Sequence, residues 1–103
     1  MLSLGEEIGL PKEFALRQNY PNPFNPLTTI NYDLPENTHV RLVVYDIMGR
    51  EIVNLVNQQQ DAGYKSVRWN GRNNSGQVVS AGMYIFSIHA GDYRAIKKMI
   101  LLK

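Results

Sequence analysis

The sequence predicts an all-β fold, an antiparallel sandwich of about seven strands, from three observations. Apolar residues alternate with polar ones at period two in several short stretches, the pattern of a strand buried on one side. Those stretches are rich in β-branched and aromatic residues. Between them, glycine, proline, asparagine and aspartate recur at spacings of about 8–12 residues.

Residues 1–13 mix Gly5, Gly9, Pro11 and charged side chains without periodicity, and read as a linker to an upstream domain. Residues 14–20 lead into Pro21-Asn22-Pro23-Phe24-Asn25-Pro26. Proline has no amide proton and a fixed φ, so this run is an extended edge or a turn. Tyr20 and Phe24 are expected to pin it to the core.

The clearest strand is residues 28–34, where Thr28, Ile30, Tyr32 and Leu34 alternate with Thr29, Asn31 and Asp33. Pro35-Glu36-Asn37 turns the chain. Residues 39–47 follow, with Val40, Leu42 and Val44 on one face. Asp46-Ile47-Met48-Gly49 has the type I turn signature, and a left-handed glycine there makes a bulged hairpin. Residues 51–56 are the returning strand. The rival is a short helix over 52–60, from the spacing of Ile52, Leu55 and Val56. The hairpin turn just before favours the strand.

Residues 58–63 read as a polar connection, 64–69 as a strand with Val67 and Trp69 facing in, and 70–76 as a loop of small polar residues. Residues 83–90 alternate through Tyr84, Phe86 and Ile88. Gly91-Asp92 fits a two-residue hairpin turn with glycine first. Residues 93–103 form the last strand; Met99-Ile100-Leu101-Leu102 is apolar on both faces, so cover on both sides is expected. Seven short strands of this kind point to an immunoglobulin-like or fibronectin III-like sandwich. The expected core is Ile30, Leu42, Val44, Val67, Trp69, Phe86 and Ile88.

The chain has 103 residues, of which 44% are hydrophobic, enough for one domain with its own core. It has no cysteine, which excludes disulfides, thiol nucleophiles and thiolate metal sites. The net charge of +2 is mild, and basic residues gather only near the end, in Arg94, Lys97, Lys98 and Lys103. Nucleic-acid binders carry a denser basic face, so no nucleic-acid partner is expected. No apolar run approaches transmembrane length. Residues 1–7 lack the basic and apolar regions of an export signal, which for an exported parent protein would lie upstream.

No catalytic, cofactor or metal residue is assigned. His39 and His89 fall inside strand patterns, opposite the main apolar stripe, and read as outward-facing. There is no nucleophile elbow and no carboxylate pair. Asn70-Gly71-Arg72-Asn73-Asn74-Ser75-Gly76 lacks the carboxylates a calcium loop needs; its Asn and Gly suit left-handed turn geometry. Tyr32, Tyr45, Tyr64 and Tyr93 are candidates for a sugar-stacking platform, but alternating aromatics in strands more often pack in cores and across strands.

Several motifs, in order, resemble one family. Asn19-Tyr20-Pro21-Asn22-Pro23-Phe24-Asn25-Pro26 with Thr28-Thr29-Ile30 resembles the start of the type A C-terminal sorting domain of the type IX (Por) secretion system. So do Val43-Val44-Tyr45-Asp46 with Gly49-Arg50-Glu51, Trp69-Asn70-Gly71-Arg72 with Gly76, and Ala81-Gly82-Met83-Tyr84. The ending Lys97-Lys98-Met99-Ile100-Leu101-Leu102-Lys103 fits as well, and the resemblance covers residues 14–103. The immunoglobulin-like domain of the flagellar hook-capping protein shares the middle part.

The resemblance implies a non-catalytic module at the C-terminus of an exported bacterial protein. Such a module directs its cargo across the outer-membrane translocon, and a sortase-like peptidase then often removes it, leaving the cargo released or held at the cell surface. Carried over, the signal residues are Pro21, Pro23, Gly82, Tyr84, Lys97, Lys98 and Lys103. Asn70 stands where many relatives have aspartate, which counts against a metal or acidic role there but not against the fold. The alternatives are a glycan-binding or adhesion module of a secreted hydrolase, and a structural domain of an extracellular appendage.

Overall fold

The computed structural model describes residues 9–102, and among them it holds seven strands and no helix. These are β1 (Ala15–Leu16), β2 (Thr28–Leu34), β3 (Thr38–Asp46), β4 (Glu51–Gln60), β5 (Gly63–Trp69), β6 (Gly82–Ala90) and β7 (Tyr93–Leu101). They form two antiparallel sheets, in the orders β1-β2-β5 and β4-β3-β6-β7. The core lies between the sheets because each strand turns its alternate apolar positions to one side. Ile30, Tyr32 and Leu34 come from β2; Val40, Leu42 and Val44 from β3; Tyr84, Phe86, Ile88 and Ala90 from β6. Trp69 is buried at the end of β5, while Val67 is half-buried against the same cluster.

The turns follow their chemistry. Gly49 sits at φ 85°, and its amide donates to the Asp46 carbonyl at 3.0 Å, closing the β3–β4 hairpin. Ala90 pairs with Tyr93 across Gly91-Asp92, and Gly91 takes φ 59°. In the β5–β6 loop, the Asn73 side-chain oxygen accepts from the amides of Ser75 and Gln77.

Strand β4 differs from expectation in two ways. It runs on to Gln60, so residues 58–60 pair with β3 and only two residues connect it to β5. Its register also shifts twice, between Leu42/Val43 and Val44/Tyr45 of β3, leaving Leu55 and Ile52 as extra residues. Each bulge breaks the period of two. Ile52, Val53, Leu55 and Val56 therefore all reach the core, which reproduces the three- and four-residue spacing of a helix within a strand.

Two packing expectations are corrected. Phe24 is buried, but Tyr20 is 78% exposed and is held by backbone bonds to Thr29, not by its ring. Ile100 and Leu102 are exposed although Met99 and Leu101 are buried, because the outer face of β7 has no layer over it. Of the tyrosines, Tyr32 is buried and its hydroxyl donates to Gln60 at 2.6 Å, while Tyr93 stacks on Phe14 at 5.3 Å. Burial raises the Tyr32 pKa, with the Gln60 bond opposing it.

Candidate functional site

The stretch from Gln18 to Pro26 forms a strap along the end of β7. Phe24 pairs with Leu101 in a parallel bridge: its amide donates to the Ile100 carbonyl at 2.9 Å, and its carbonyl accepts from the Leu102 amide at 2.8 Å. The Asn22 side chain accepts from the Ile100 amide at 3.0 Å, and the Gln18 amide group donates to the Lys98 carbonyl at 2.7 Å. The strap is also held from inside. Buried Asn19 donates to Thr28 Oγ1 at 3.0 Å and to the Pro21 carbonyl at 3.2 Å, and the Thr28 hydroxyl donates to that carbonyl at 2.8 Å. The peptide bonds before Pro21, Pro23 and Pro26 are cis.

Three aromatic rings tie the strap to the start of β6. Phe24 lies 5.6 Å from Trp69 at a tilt, and Trp69 meets Tyr84 edge-on at 5.4 Å. Such geometries place ring edges on ring faces and add to the gain from burial. The Trp69 indole donates to the Arg72 carbonyl and the Tyr84 hydroxyl to the Ser80 carbonyl, so neither polar tip is orphaned. Gly71, buried at φ 75°, packs its backbone against Leu101, where a Cβ would lie 3.5 Å from the leucine side chain.

Six of the seven signal residues named from the sequence fall on this assembly; Lys103 lies outside the described residues. Pro21 and Pro23 are exposed on the strap. Gly82 pairs with Leu101 and Tyr84 with Met99. Gly82 takes φ 144° with nothing within 4 Å of a Cβ, so its backbone, not crowding, requires glycine. Lys97 and Lys98 separate, since successive strand residues face opposite ways: Lys98 is exposed on the outer face, and Lys97 is half-buried on the core side. Of the two, only Lys98 stands fully in water. Gln18, Asn19 and Asn22 hold the site together but were not singled out in sequence, whereas Phe24 was expected to pin the strap and does. Asn19 and Asn22 lie in the opening motif, and only their partners 70 or more positions away, or Thr28, reveal their role.

Beyond Tyr84, an open cleft of about 530 Å³ runs between the β3–β4 hairpin and residues 78–82. Gly82 and Tyr84 line it, with Ile47, Met48, Val78 and Met83 exposed around its rim. Asp46 shapes the hairpin side. Its carboxylate accepts from the amides of Arg50 and Met48 and pairs with the Arg50 guanidinium at 2.8 Å. Those bonds, led by the Arg50 amide, hold its pKa below the ordinary value. His39 and His89 lie on the outer face, with His39 bonded to Asn57 at 2.8 Å. No cluster of metal-ligating side chains occurs among the described residues.

The fold is that of an immunoglobulin-like sandwich with a strapped terminal strand. Residues 26–93 match the FlgD Ig-like domain family, and the chain belongs to it. No curated protein matches the chain. Among solved structures it is similar to dimeric latent PorU from Porphyromonas gingivalis, with TM-score 0.66 and 16% identity over 88% of this chain and 10% of PorU. It is also similar to PorZ, an essential bacterial surface component of the type IX secretion system of the same organism, with TM-score 0.56 and 20% identity over 98% of this chain and 12% of PorZ. The chain thus spans about a tenth of either protein's length, and the likeness is one of fold.

Proposed function

We propose that this is a type A C-terminal sorting domain: a non-catalytic module that directs a secreted cargo through the type IX secretion system and serves to hold it at the cell surface. One observation carries the reading. Four of the five motifs that resemble the sorting family, far apart in sequence, meet in one place, where the strap, the Trp69 cluster and the ends of β6 and β7 contact one another, and the fifth, at the β3–β4 hairpin, adjoins them through the Asp46–Tyr84 pair. A core alone does not need a strap with exposed prolines fixed on a terminal strand. Domains of this fold in PorU and PorZ support the same setting. The cargo would lie upstream of residues 1–13 as linker, the partners would be the outer-membrane translocon and a sortase-like peptidase, and the route would run through the periplasm.

The test is a reporter enzyme fused to the N-terminus of this chain, in a host with the secretion system. The intact fusion should reach the surface or medium, and removal of residues 93–103 should leave it in the periplasm. A strap variant, Asn22→Ala with Pro23→Ala, keeps the terminal strand and should also slow export. Export unaffected by either change would reject sorting. A second reading, a structural domain of an extracellular appendage, is favoured by the family match over residues 26–93. It predicts retention of the fusion whether or not the terminal strand is present.

A further inference from the structure

The strap leaves part of the β7 edge open, and the open part has a defined chemistry. The two-residue turn makes Ala90 and Tyr93 a hydrogen-bonded pair, so Tyr93, Ala95, Lys97, Met99 and Leu101 direct their backbone groups at β6. Arg94, Ile96, Lys98, Ile100 and Leu102 direct theirs outward. The strap bonds conform to this alternation, since they engage the Lys98 carbonyl, both groups of Ile100 and the Leu102 amide. The amides and carbonyls of Arg94 and Ile96, and the Lys98 amide, have no partner among the described residues.

The side chains at these positions share the outer face of the sheet. Ile96 is 66% exposed, with Arg94 and Lys98 exposed on either side of it. Neither cation has an ion-pair partner among the described residues. Behind them on β6 stand His89, Ser87 and Ile85, paired with Arg94, Ile96 and Lys98 in turn.

We propose that this edge binds an extended acidic segment of another protein by strand addition. The incoming strand lies antiparallel to β7, with acidic, apolar and acidic side chains at alternate positions opposite Arg94, Ile96 and Lys98. Five backbone bonds and two charge pairs hold it. The strap closes the edge at Lys98, which sets both the length of the bound segment and its register. Charge decides against a second copy of this chain: antiparallel self-pairing about Ile96 sets Arg94 opposite Lys98 twice, and like charges directly opposed are destabilising. The inference goes beyond the sorting reading and is tested on the isolated chain, so either can fail alone.

The test is a titration followed by backbone amide NMR, using the capped peptide Thr-Glu-Thr-Val-Thr-Glu-Thr and its control with both glutamates replaced by lysine. The glutamate peptide should shift the amides of Arg94, Ile96 and Lys98 saturably, and the lysine peptide should not. Ile96→Pro removes an outward donor without removing a β6–β7 bond, and should abolish the response at an unchanged melting temperature. Arg94→Glu with Lys98→Glu should weaken binding of the glutamate peptide by about tenfold and create binding of the lysine peptide. Absence of saturable shifts at residues 94–98, an equal response to both peptides, or shifts confined to the cleft beside Tyr84 would each overturn the proposal.

Discussion

Strands β4 and β7 are the two outer strands of one sheet, and each shields its edge by a different device. On β4 the device is mostly local. Two bulges twist the strand, and the nearby loop clips onto it: the Asn74 amide donates to the Ile52 carbonyl, and the Asn74 side chain accepts from the Asn54 amide at 3.0 Å. On β7 the device comes from the far end of the chain, as Asn22 and Phe24 bond to Ile100 and Leu102. A bulge only spoils an edge as a template. A strap occupies the edge, and so also decides which part of it stays open.

The largest effect should come from removing the strap's anchor. Phe24 is buried against Trp69, so Phe24→Ala should cost about 3–5 kcal/mol in chemical denaturation. Hydrogen exchange at the Ile100 and Leu102 amides should rise well before exchange in β3. Equal acceleration everywhere would mean that the strap is simply core and not a separable cover.

Next come the asparagines that serve the two edges. Asn74→Ala removes side-chain bonds to the Asn54 amide and to Glu51, and should cost about 1–2 kcal/mol. Asn22→Ala removes one exposed bond, and should cost about 0.5–1 kcal/mol. Reversed sizes would show that β7 depends on its cover more than β4 depends on its clip.

Acid sharpens the comparison at the hairpin leading into β4. The folded Asp46 carboxyl lies below its ordinary value of 3.8, mainly through the Arg50 amide. Its contribution is therefore present above that value and is lost as pH falls through the folded pKa. Asp46→Asn should flatten the decline of melting temperature between about pH 5 and pH 2. An unchanged slope would show that Asp46 does not set the acid sensitivity of the fold.

The smallest effect belongs to the β7 lysines. Lys98→Gln should change stability by less than about 0.5 kcal/mol, because its side chain is exposed and unpaired among the described residues. Lys97→Gln, half-buried on the core side, should change it more. Equal effects would mean that the two faces of β7 are alike.

The sequence by itself determined the strands and turns. Alternation within residues 28–34 and 83–90, and the glycines at 49 and 91, act over a few residues, and a period of two leaves one solution for which face is buried. That local logic misreads β4, where each bulge resets the alternation and imitates helical spacing. It also overstates the cover on Ile100 and Leu102, since an apolar pair cannot reveal whether a second layer exists. Tertiary structure alone decided that a proline run near the start would close the edge of the last strand. The bonds from Asn22 and Phe24 to Ile100 and Leu102 cross nearly eighty residues, and no spacing rule carries information over that distance. It also decided that Lys97 and Lys98, adjacent in sequence, would face opposite sides of the sheet on a strand whose edge is half covered and half open.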